Sequence, residues 1–325
     1  MKRNIWLLFM TVMLAFGCAG CGQKEDAEPA DMKIAVMTGP TAIGMVKVMS
    51  DMEAGTAANN YTFSVYGTGD EIAAELLKGN LDAACVPCNL AAVLHQKSEG
   101  EIVTVAVNTL GVLYLVETGT EIQCVEDLRG KTIYSTGQGT TPEFTLRYLL
   151  SSAGIDPDKD VTIEYKSEAA EVAALLAEAT DAVAMLPQPY VTAAMKQNAS
   201  LRIALSVTEE WEKRNEDSTV VTGVLVARNS YIQEQEDAFA KFLEEYEASV
   251  AYAKEQVEET AEQLEHFNIF KAAIAKTAIP YCNVTYIDGE EMQKKVLAYL
   301  QVLYDQKPAA VGGIMPGAEL FYMAE

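Results

Sequence analysis

The sequence contains few basic side chains and almost no histidine. It has 24 Lys and Arg residues against 47 Asp and Glu residues, which gives a formal charge of −23 at pH 7. A chain this acidic is repelled by phosphate backbones, so the composition argues against a nucleic-acid partner. The only two histidines, His95 and His266, lie far apart and lack the spacing of a metal site, and no metal or other cofactor is predicted.

Sequence motifs of common enzyme classes are also missing. No GxGxxG motif of dinucleotide-binding loops occurs, no GK(S/T) motif follows the glycine loop at 137–139, and no GxSxG motif of a serine nucleophile is present. The residues of a catalytic triad can come together in space from distant parts of a chain. These absences therefore weaken the case for an enzyme without excluding one.

A long apolar run occurs at the start of the chain. Lys2 and Arg3 precede a mostly apolar stretch at 5–16, which is shorter than the roughly 20 residues that a helix needs to cross a bilayer. This pattern predicts a cleaved signal peptide over residues 1–20.

The end of this signal peptide is similar to a bacterial lipobox. Ala19 and Gly20 precede Cys21, which would carry the lipid and become the first residue of the mature protein, while Cys18 is a second candidate. Residues 21–32 are polar and typical of a flexible tether. The sequence thus predicts an extracytoplasmic protein that a lipid anchor holds at the cell membrane.

Strands and helices alternate from residue 33 onward. Three strand, loop and helix units follow one another as far as His95, and they predict an α/β fold with a mostly parallel sheet. In such sheets ligands bind beyond the carboxyl ends of the strands, where the connecting loops converge. The loops at 38–42, 67–70 and 87–89 are therefore expected to face one site.

The segment 127–165 follows the pattern strand, loop, helix, turn and strand. Its loop at 136–141 consists almost entirely of glycine and threonine, and Pro142 suits the first turn of the helix that follows. Such a loop presents N–H groups and hydroxyls at the positive end of a helix dipole, where acceptor atoms of a ligand can bind. A turn that needs glycine only for its backbone geometry is the alternative interpretation.

This segment, DLRGKTIYSTGQGTTPEF and onward, resembles the DLkGKkVa…G…lL…aGl…DV pattern of periplasmic-type solute-binding proteins. The matching proteins belong to the nitrate, sulfonate and thiamine-precursor transport group. The resemblance implies a type II periplasmic-binding-protein-like fold, in which two crossover strands join two lobes. It also implies capture of a small-molecule ligand for the permease of an ABC importer, by a monomer that is not an enzyme.

Two similar runs, TLGVLYLV and TGVLVA, are the expected crossover strands. They lie far apart in the chain, as a two-crossover architecture requires. The sequence therefore predicts that lobe 1 comprises 33–112 and 226–325, and that lobe 2 comprises 113–225.

The candidate ligand contacts are loop residues of both lobes. No Arg or Lys occurs in the loops considered, which favours a neutral, aromatic or zwitterionic solute over a simple anion. Glu143 would accept a hydrogen bond from a ligand amine or, alternatively, complement the helix dipole. Gln188 occupies the place of a frequent family glutamate. The candidates are Thr38, Gly39, Thr41, Gly67, Thr68, Pro87, Cys88, Asn89, Asn108, Thr109, Gly137, Gly139, Thr140, Thr141, Glu143, Gln188 and Thr222.

Two other functions remain open from the sequence. Cys85 and Cys88 form a CVPC motif between a strand and a helix, as in thioredoxin-type redox centres, although Cys85 alternates in phase with buried positions. The second alternative is an enzyme on the same bilobal scaffold, similar to the chorismate-processing lyases of the menaquinone pathway. A signal peptide argues against it, because those enzymes are cytosolic as a rule.

Overall fold

The computed structural model describes residues 28–324. The predicted signal peptide, most of the tether and Cys21 lie outside these residues. The strands are β1 (Asp31–Met37), β2 (Asn60–Tyr66), β3 (Ala83–Pro87), β4 (Ile102–Leu110), β5 (Leu113–Glu117), β6 (Thr132–Thr136), β7 (Thr162–Lys166), β8 (Val183–Pro187), β9 (Arg202–Ser206), β10 (Val221–Arg228) and β11 (Val284–Ile287).

The helices alternate with these strands through most of the chain. They are α1 (Val46–Ala54), α2 (Gly69–Leu77), α3 (Cys88–Lys97), α4 (Thr141–Ser152), α5 (Ala169–Glu178), α6 (Tyr190–Gln197), α7 (Val207–Glu212), α8 (Asn229–Glu234), α9 (Glu236–Glu255), α10 (Val257–His266), α11 (Ala272–Ala278) and α12 (Gly289–Gln306). A 3₁₀ helix, Pro40–Met45, precedes α1.

The strands form two separate sheets. The first has the order β11-β4-β10-β3-β1-β2, and the second has the order β7-β6-β8-β5-β9. We refer to the first sheet with its flanking helices as lobe 1 and to the second as lobe 2. The predicted α/β fold with two lobes is confirmed.

Parallel pairing is restricted to part of each sheet. In lobe 1, β1 pairs in parallel with β2 and β3, and in lobe 2, β6 pairs in parallel with β7 and β8. The strands next to the crossovers, β10 and β5, pair antiparallel with their neighbours. The expectation of a mostly parallel sheet therefore holds only for the first three strand and helix units.

The second crossover lies earlier than the sequence predicts. β4 ends in lobe 1 at Leu110 and β5 begins in lobe 2 at Leu113, whereas β10 already pairs with β4 at Val221. The predicted boundary between 225 and 226 is wrong, because it falls inside β10. The apolar run TGVLVA suits either lobe, and its pairing with distant β3 and β4 assigns it to lobe 1.

Side chains on β10 alternate between two hydrophobic cores. Val224 and Val226 belong to the core that α3 and α12 cover, while Leu225 and Ala227 belong to the core beneath α1 and α9. Because both faces of this sheet are covered, β10 is apolar at successive positions instead of alternating with polar residues.

The C-terminal helix α12 connects the two lobes. Its Tyr299 hydroxyl lies 2.7 Å from Thr145 Oγ1 of α4, and its ring packs against Trp211 of α7 at a centroid distance of 5.3 Å. One continuous hydrophobic cluster accordingly runs through lobe 1 and lobe 2.

Candidate functional site

A cleft of about 400 Å³ lies between the two sheets. It is bordered by loops that leave the carboxyl ends of β1, β2 and β3 in lobe 1, and of β6, β7 and β8 in lobe 2. This is the position at which α/β sheets bind ligands, and the volume is within the range of small-molecule sites. Ten predicted contacts line it: Thr38, Gly39, Thr41, Gly67, Thr68, Pro87, Gly137, Thr140, Thr141 and Thr222.

The lobe 1 wall is organised by the start of α2. Thr68 and Glu71 form a capping box, in which the Thr68 N–H donates to Glu71 Oε2 at 3.1 Å. A capping box fixes the direction in which the chain enters a helix. As a result, the Gly67–Asp70 loop is held at the cleft with its backbone N–H groups near the helix N-terminus.

The lobe 2 wall is formed by the glycine and threonine loop before α4. Gly137 has φ of 70°, and its carbonyl accepts hydrogen bonds from Thr140 N at 2.9 Å and from Thr140 Oγ1 at 2.7 Å. Since Thr140 Oγ1 turns back to Gly137, it does not cap the N–H groups of α4. A left-handed glycine thus allows the loop to fold tightly against the first turn of the helix.

Four helices of eight or more residues begin at this cleft. They are α2 from lobe 1 and α4, α5 and α6 from lobe 2, and the first residue of each lines the cleft. Helix N-termini attract negative charge through their dipoles and their unpaired N–H groups. Only three lining side chains are charged, namely Asp70, Lys166 and Glu168.

Sequence reasoning missed the loop between β7 and α5. Its residues from Tyr165 to Ala169 line the cleft and bring Lys166 and Glu168 to it. In α/β sheets ligands bind beyond the carboxyl ends of the strands, and this loop follows the carboxyl end of the parallel strand β7. The same rule that selects the lobe 1 loops could therefore have found these residues. This loop therefore brings a lysine to the cleft, which the other candidate loops lack.

Two tyrosines that line the cleft are shielded from water. Burial, together with the nearby Glu168 carboxylate, raises the pKa of Tyr190 to about 12. Burial, with Glu143 in its vicinity, also raises the pKa of Tyr165. Both phenols therefore remain neutral at physiological pH and can offer an O–H donor to a ligand.

Three predicted contacts bind protein groups instead of lining the cleft. Asn89 Nδ2 donates to Ala310 O at 2.9 Å and, across the lobes, to Gly139 O at 3.4 Å. The Gly139 N–H donates to Glu143 Oε2 at 2.6 Å. Glu143 thus stabilises the loop through this bond, while Asn89 joins loop 137–141 to lobe 1.

Gln188 also has a local partner. Its Oε1 accepts hydrogen bonds from Thr192 Oγ1 at 2.8 Å and from Thr192 N at 3.2 Å, and the side chain is buried. These bonds lie within the first turn of α6. The residue that replaces the family glutamate therefore stabilises the start of a helix, and it is not among those that line the cleft.

The remaining three predicted contacts are buried below the cleft. Cys88 lies in the core that α3 and α12 cover, and Asn108 and Thr109 lie at the end of β4 under the lobe 1 wall. Cys88 is the first residue of α3, and α3 packs against α12 and the sheet. For this reason its thiol faces hydrophobic side chains, contrary to the position beside a ligand that the sequence predicts.

The CVPC motif has the environment of structural cysteines. Burial raises the pKa of the Cys85 thiol to about 12 and also raises the pKa of Cys88 and Cys282. The four cysteines of the described chain, these three and Cys124, are all free. Redox cysteines require an accessible, stabilised thiolate. This geometry does not favour the redox alternative.

We expect a thiol reagent such as DTNB to modify Cys124 alone among these four cysteines in the folded protein. Cys124 is half-buried, whereas the other three are buried, and their raised pKa values keep them protonated at pH 8. Hydrogen bonding with Glu126, along with partial burial, raises the Cys124 pKa too, so its reaction will be slow. Labelling followed by peptide mass spectrometry checks this, with urea-unfolded protein as the control. Rapid native modification of Cys88 would contradict the assignment.

The described residues contain neither a cluster of metal ligands nor a helix that could span a membrane. Across residues 28–324, no three or more His, Cys, Asp or Glu side chains are grouped as metal ligands. None of the helices in this same range is both long enough and apolar enough to span a bilayer.

Comparison with known proteins identifies the family. The model of the ABC transporter phosphonate periplasmic substrate-binding protein family matches residues 44–272, which is more than half of the chain. The chain belongs to this family. It is therefore a solute-binding protein of the ABC-transporter type. Proteins of this family are extracytoplasmic. The predicted resemblance to solute-binding proteins of the nitrate, sulfonate and thiamine-precursor transport group is confirmed.

Two solved structures and one curated protein are similar to this binding protein. An ABC transporter protein from Parabacteroides distasonis has a TM-score of 0.75 and 24% identity over 90% of this chain and 99% of its own. The aliphatic sulphonate binding protein SsuA from Escherichia coli has a TM-score of 0.72 and 16% identity over 91% and 93%. YtlA of Bacillus subtilis (strain 168) is 24% identical over 71% of this chain and 68% of its own.

Proposed function

We propose that this binding protein captures a small zwitterionic solute in the cleft between its lobes and delivers it to an ABC permease. We further propose that it acts as a monomer and that a lipid on Cys21 anchors it to the membrane through the tether 21–32. Solute binding itself follows from the family. The class of ligand, the anchor and the delivery partner are the steps proposed here.

The convergence of four helix N-termini on one cleft is the observation that supports an anionic group on the ligand. The N–H groups at the start of α4 and of the three other helices form a set of uncharged donors. Such sets bind oxyanions without a positively charged side chain. The family description names phosphonate, and the SsuA relative is named for sulphonate. Both groups are tetrahedral oxyanions.

The charged side chains of the cleft support a positive group at the other end of the ligand. Two carboxylates, Asp70 and Glu168, line the cleft against the single cation Lys166. Glu168 Oε1 lies 3.1 Å from the position that a Cβ on Gly67 would occupy, so this carboxylate reaches across to lobe 1. An ammonium group between the lobes would satisfy it.

The same contacts provide a reason for the lobes to close on the ligand. Glu168 approaches lobe 1 at Gly67, and Asn89 links lobe 1 to the α4 loop at Gly139 and Thr141. A ligand that contacts both walls binds the closed arrangement better than an open one and shifts the population toward it. A closed, liganded form is what a permease would recognise.

Thermal unfolding of the soluble form, which starts after Cys21, tests this proposal. The panel contains ethylphosphonate and 2-aminoethylphosphonate, ethanesulfonate and taurine, nitrate, pyrimidines and amino acids. A ligand at 100 times its Kd adds about 2.7 kcal/mol to the free energy of unfolding. We expect the aminated oxyanions to give larger shifts than their unaminated partners.

Two substitutions, one at the N-cap of α5 and one at its last residue, provide the matched comparison. Glu168→Gln removes the carboxylate at the cleft and should abolish the preference for the aminated compound, while Glu178→Gln, at the exposed opposite end of the helix, should retain it. Equal shifts within each pair would contradict the zwitterionic ligand. If no compound in the panel shifts the unfolding temperature, the oxyanion itself is contradicted.

A further inference from the structure

The floor of the cleft in lobe 1 contains hydroxyl groups that are buried without a partner. Thr41 lines the cleft with only 2% of its surface exposed, and its Oγ1 has no hydrogen-bond partner in the described chain. Thr222, at the start of β10, also lines the cleft, and its Oγ1 likewise has none. Both hydroxyls therefore keep a free donor and a free acceptor at the cleft.

Asn108 lies beneath Thr41. A Cβ on Gly223 would stand 2.4 Å from Thr41 Cγ2 and 2.7 Å from Asn108 Oδ1, so both side chains converge on one backbone position. Asn108 is 1% exposed, and neither its Oδ1 nor its Nδ2 has a partner within residues 28–324. It lies near the Tyr246 hydroxyl and the Cys85 thiol without reaching hydrogen-bonding geometry to either.

Contact with the cleft distinguishes Thr41 and Thr222 from other buried hydroxyls. Thr104 on β4 is also fully buried and unpartnered, but it does not line the cleft. It lies four residues before Asn108 on the same strand, a distance of about 13 Å. Burial of a polar group without a partner is unfavourable, and at the cleft a ligand can supply the missing partner.

The chemistry of the floor indicates an uncharged group on the ligand. Thr41, Thr222 and Asn108 are all neutral, and the two groups beside Asn108, a phenol and a thiol, are kept neutral by their raised pKa values. An ion there would be buried without an opposite charge. An amide and two hydroxyls both donate and accept, as a hydroxyl or a carboxamide does.

We propose that Thr41 and Thr222, with Asn108 behind Thr41, form a polar floor on which the two threonine hydroxyls bind an uncharged hydroxyl or carboxamide group of the ligand. This subsite would make the protein selective for solutes that carry such a group in addition to the oxyanion. The inference rests on the proposed function, since it takes the cleft to be the ligand site.

Matched pairs of compounds test the floor. Binding of ethylphosphonate and 2-hydroxyethylphosphonate, and of propylphosphonate and 3-hydroxypropylphosphonate, is measured by calorimetry on the soluble chain. The wild-type protein should bind at least one hydroxylated compound about tenfold more tightly than its partner. Thr41→Val and Thr222→Val should reduce that ratio to about one, whereas Thr104→Val should leave it unchanged.

The unfolding temperature of the ligand-free variants gives a second measurement, which does not depend on whether the four phosphonates bind. Because the replaced hydroxyls have no partner in the described chain, Thr41→Val and Thr222→Val should unfold at the same temperature as the wild type or higher, as should Thr104→Val. A lower unfolding temperature for either floor variant would overturn the inference. So would equal binding within both pairs, or a preference that survives both substitutions. Absence of binding by all four compounds would instead contradict the oxyanion of the proposed function, and the unfolding comparison would still decide whether the floor atoms lack partners.

Discussion

Replacement of Gly137 by valine is expected to reduce ligand affinity at least about a hundredfold while the protein still folds. Gly137 has φ of 70°, a conformation that costs a residue with a side chain roughly 1–2 kcal/mol. A Cβ there would also stand 2.7 Å from Thr140 Oγ1 and 2.8 Å from Pro142 Cγ. The loop must therefore move, and the N–H groups at the start of α4 move with it. A displacement of this kind removes the donors proposed to bind the oxyanion.

Gly154→Val provides the matched control at the other end of the same helix. Gly154 has φ of 72°, but a Cβ there would meet no atom within 4 Å. Both variants should therefore lose similar stability from backbone strain, and only Gly137→Val should lose binding. The compound with the largest shift in the panel is titrated into each variant by calorimetry. Wild-type affinity in Gly137→Val would contradict the proposed oxyanion site, and equal loss in both variants would point to a general effect on folding.

Trp211→Ala is expected to lower the free energy of unfolding by about 3–5 kcal/mol, the usual cost of removing a buried tryptophan ring. Trp211 is completely buried on α7, between Tyr148 of α4 at 4.3 Å and Tyr299 of α12 at 5.3 Å, measured between ring centroids. It therefore joins two helices of lobe 2 to the C-terminal helix. Loss of the ring leaves a cavity that these neighbours fill only in part.

Urea unfolding followed by circular dichroism measures this effect. Tyr281→Ala is the control, because that ring is 54% exposed and its removal should change the free energy of unfolding by less than about 0.5 kcal/mol. Separate transitions for the two lobes in Trp211→Ala would be consistent with the role of α12 as a link. A change of less than about 1 kcal/mol would contradict the close packing of the three rings.

Much of the fold could be predicted from local patterns. The strand and helix order from β1 to α3, the loop before α4 and the Pro142 helix start are all encoded by residues within a few positions of each other. The α/β class follows from that order. Short periodic stretches are readable in this way because backbone propensity and alternation act between sequence neighbours.

The direction in which loop side chains point could not be read in the same way. The sequence predicts that Asn89 contacts the ligand, yet its amide binds Ala310, which follows 221 positions later in the chain. The sequence also predicts that Cys88 lies beside the ligand, yet α12 covers it. In both cases a distant segment that packs against the loop decides which side chains reach the cleft and which are buried.

By itself, the sequence determined that this is an α/β protein with glycine- and threonine-rich loops at strand ends, and it supported the resemblance to solute-binding proteins. Tertiary structure alone decided that β10 belongs to lobe 1, that the loop after β7 brings Lys166 and Glu168 to the cleft, and that Asn108 lies under Thr41. The physical reason is the range of the interactions. Propensity and periodicity act over a few residues, whereas strand pairing and burial depend on segments that meet only after the chain has folded.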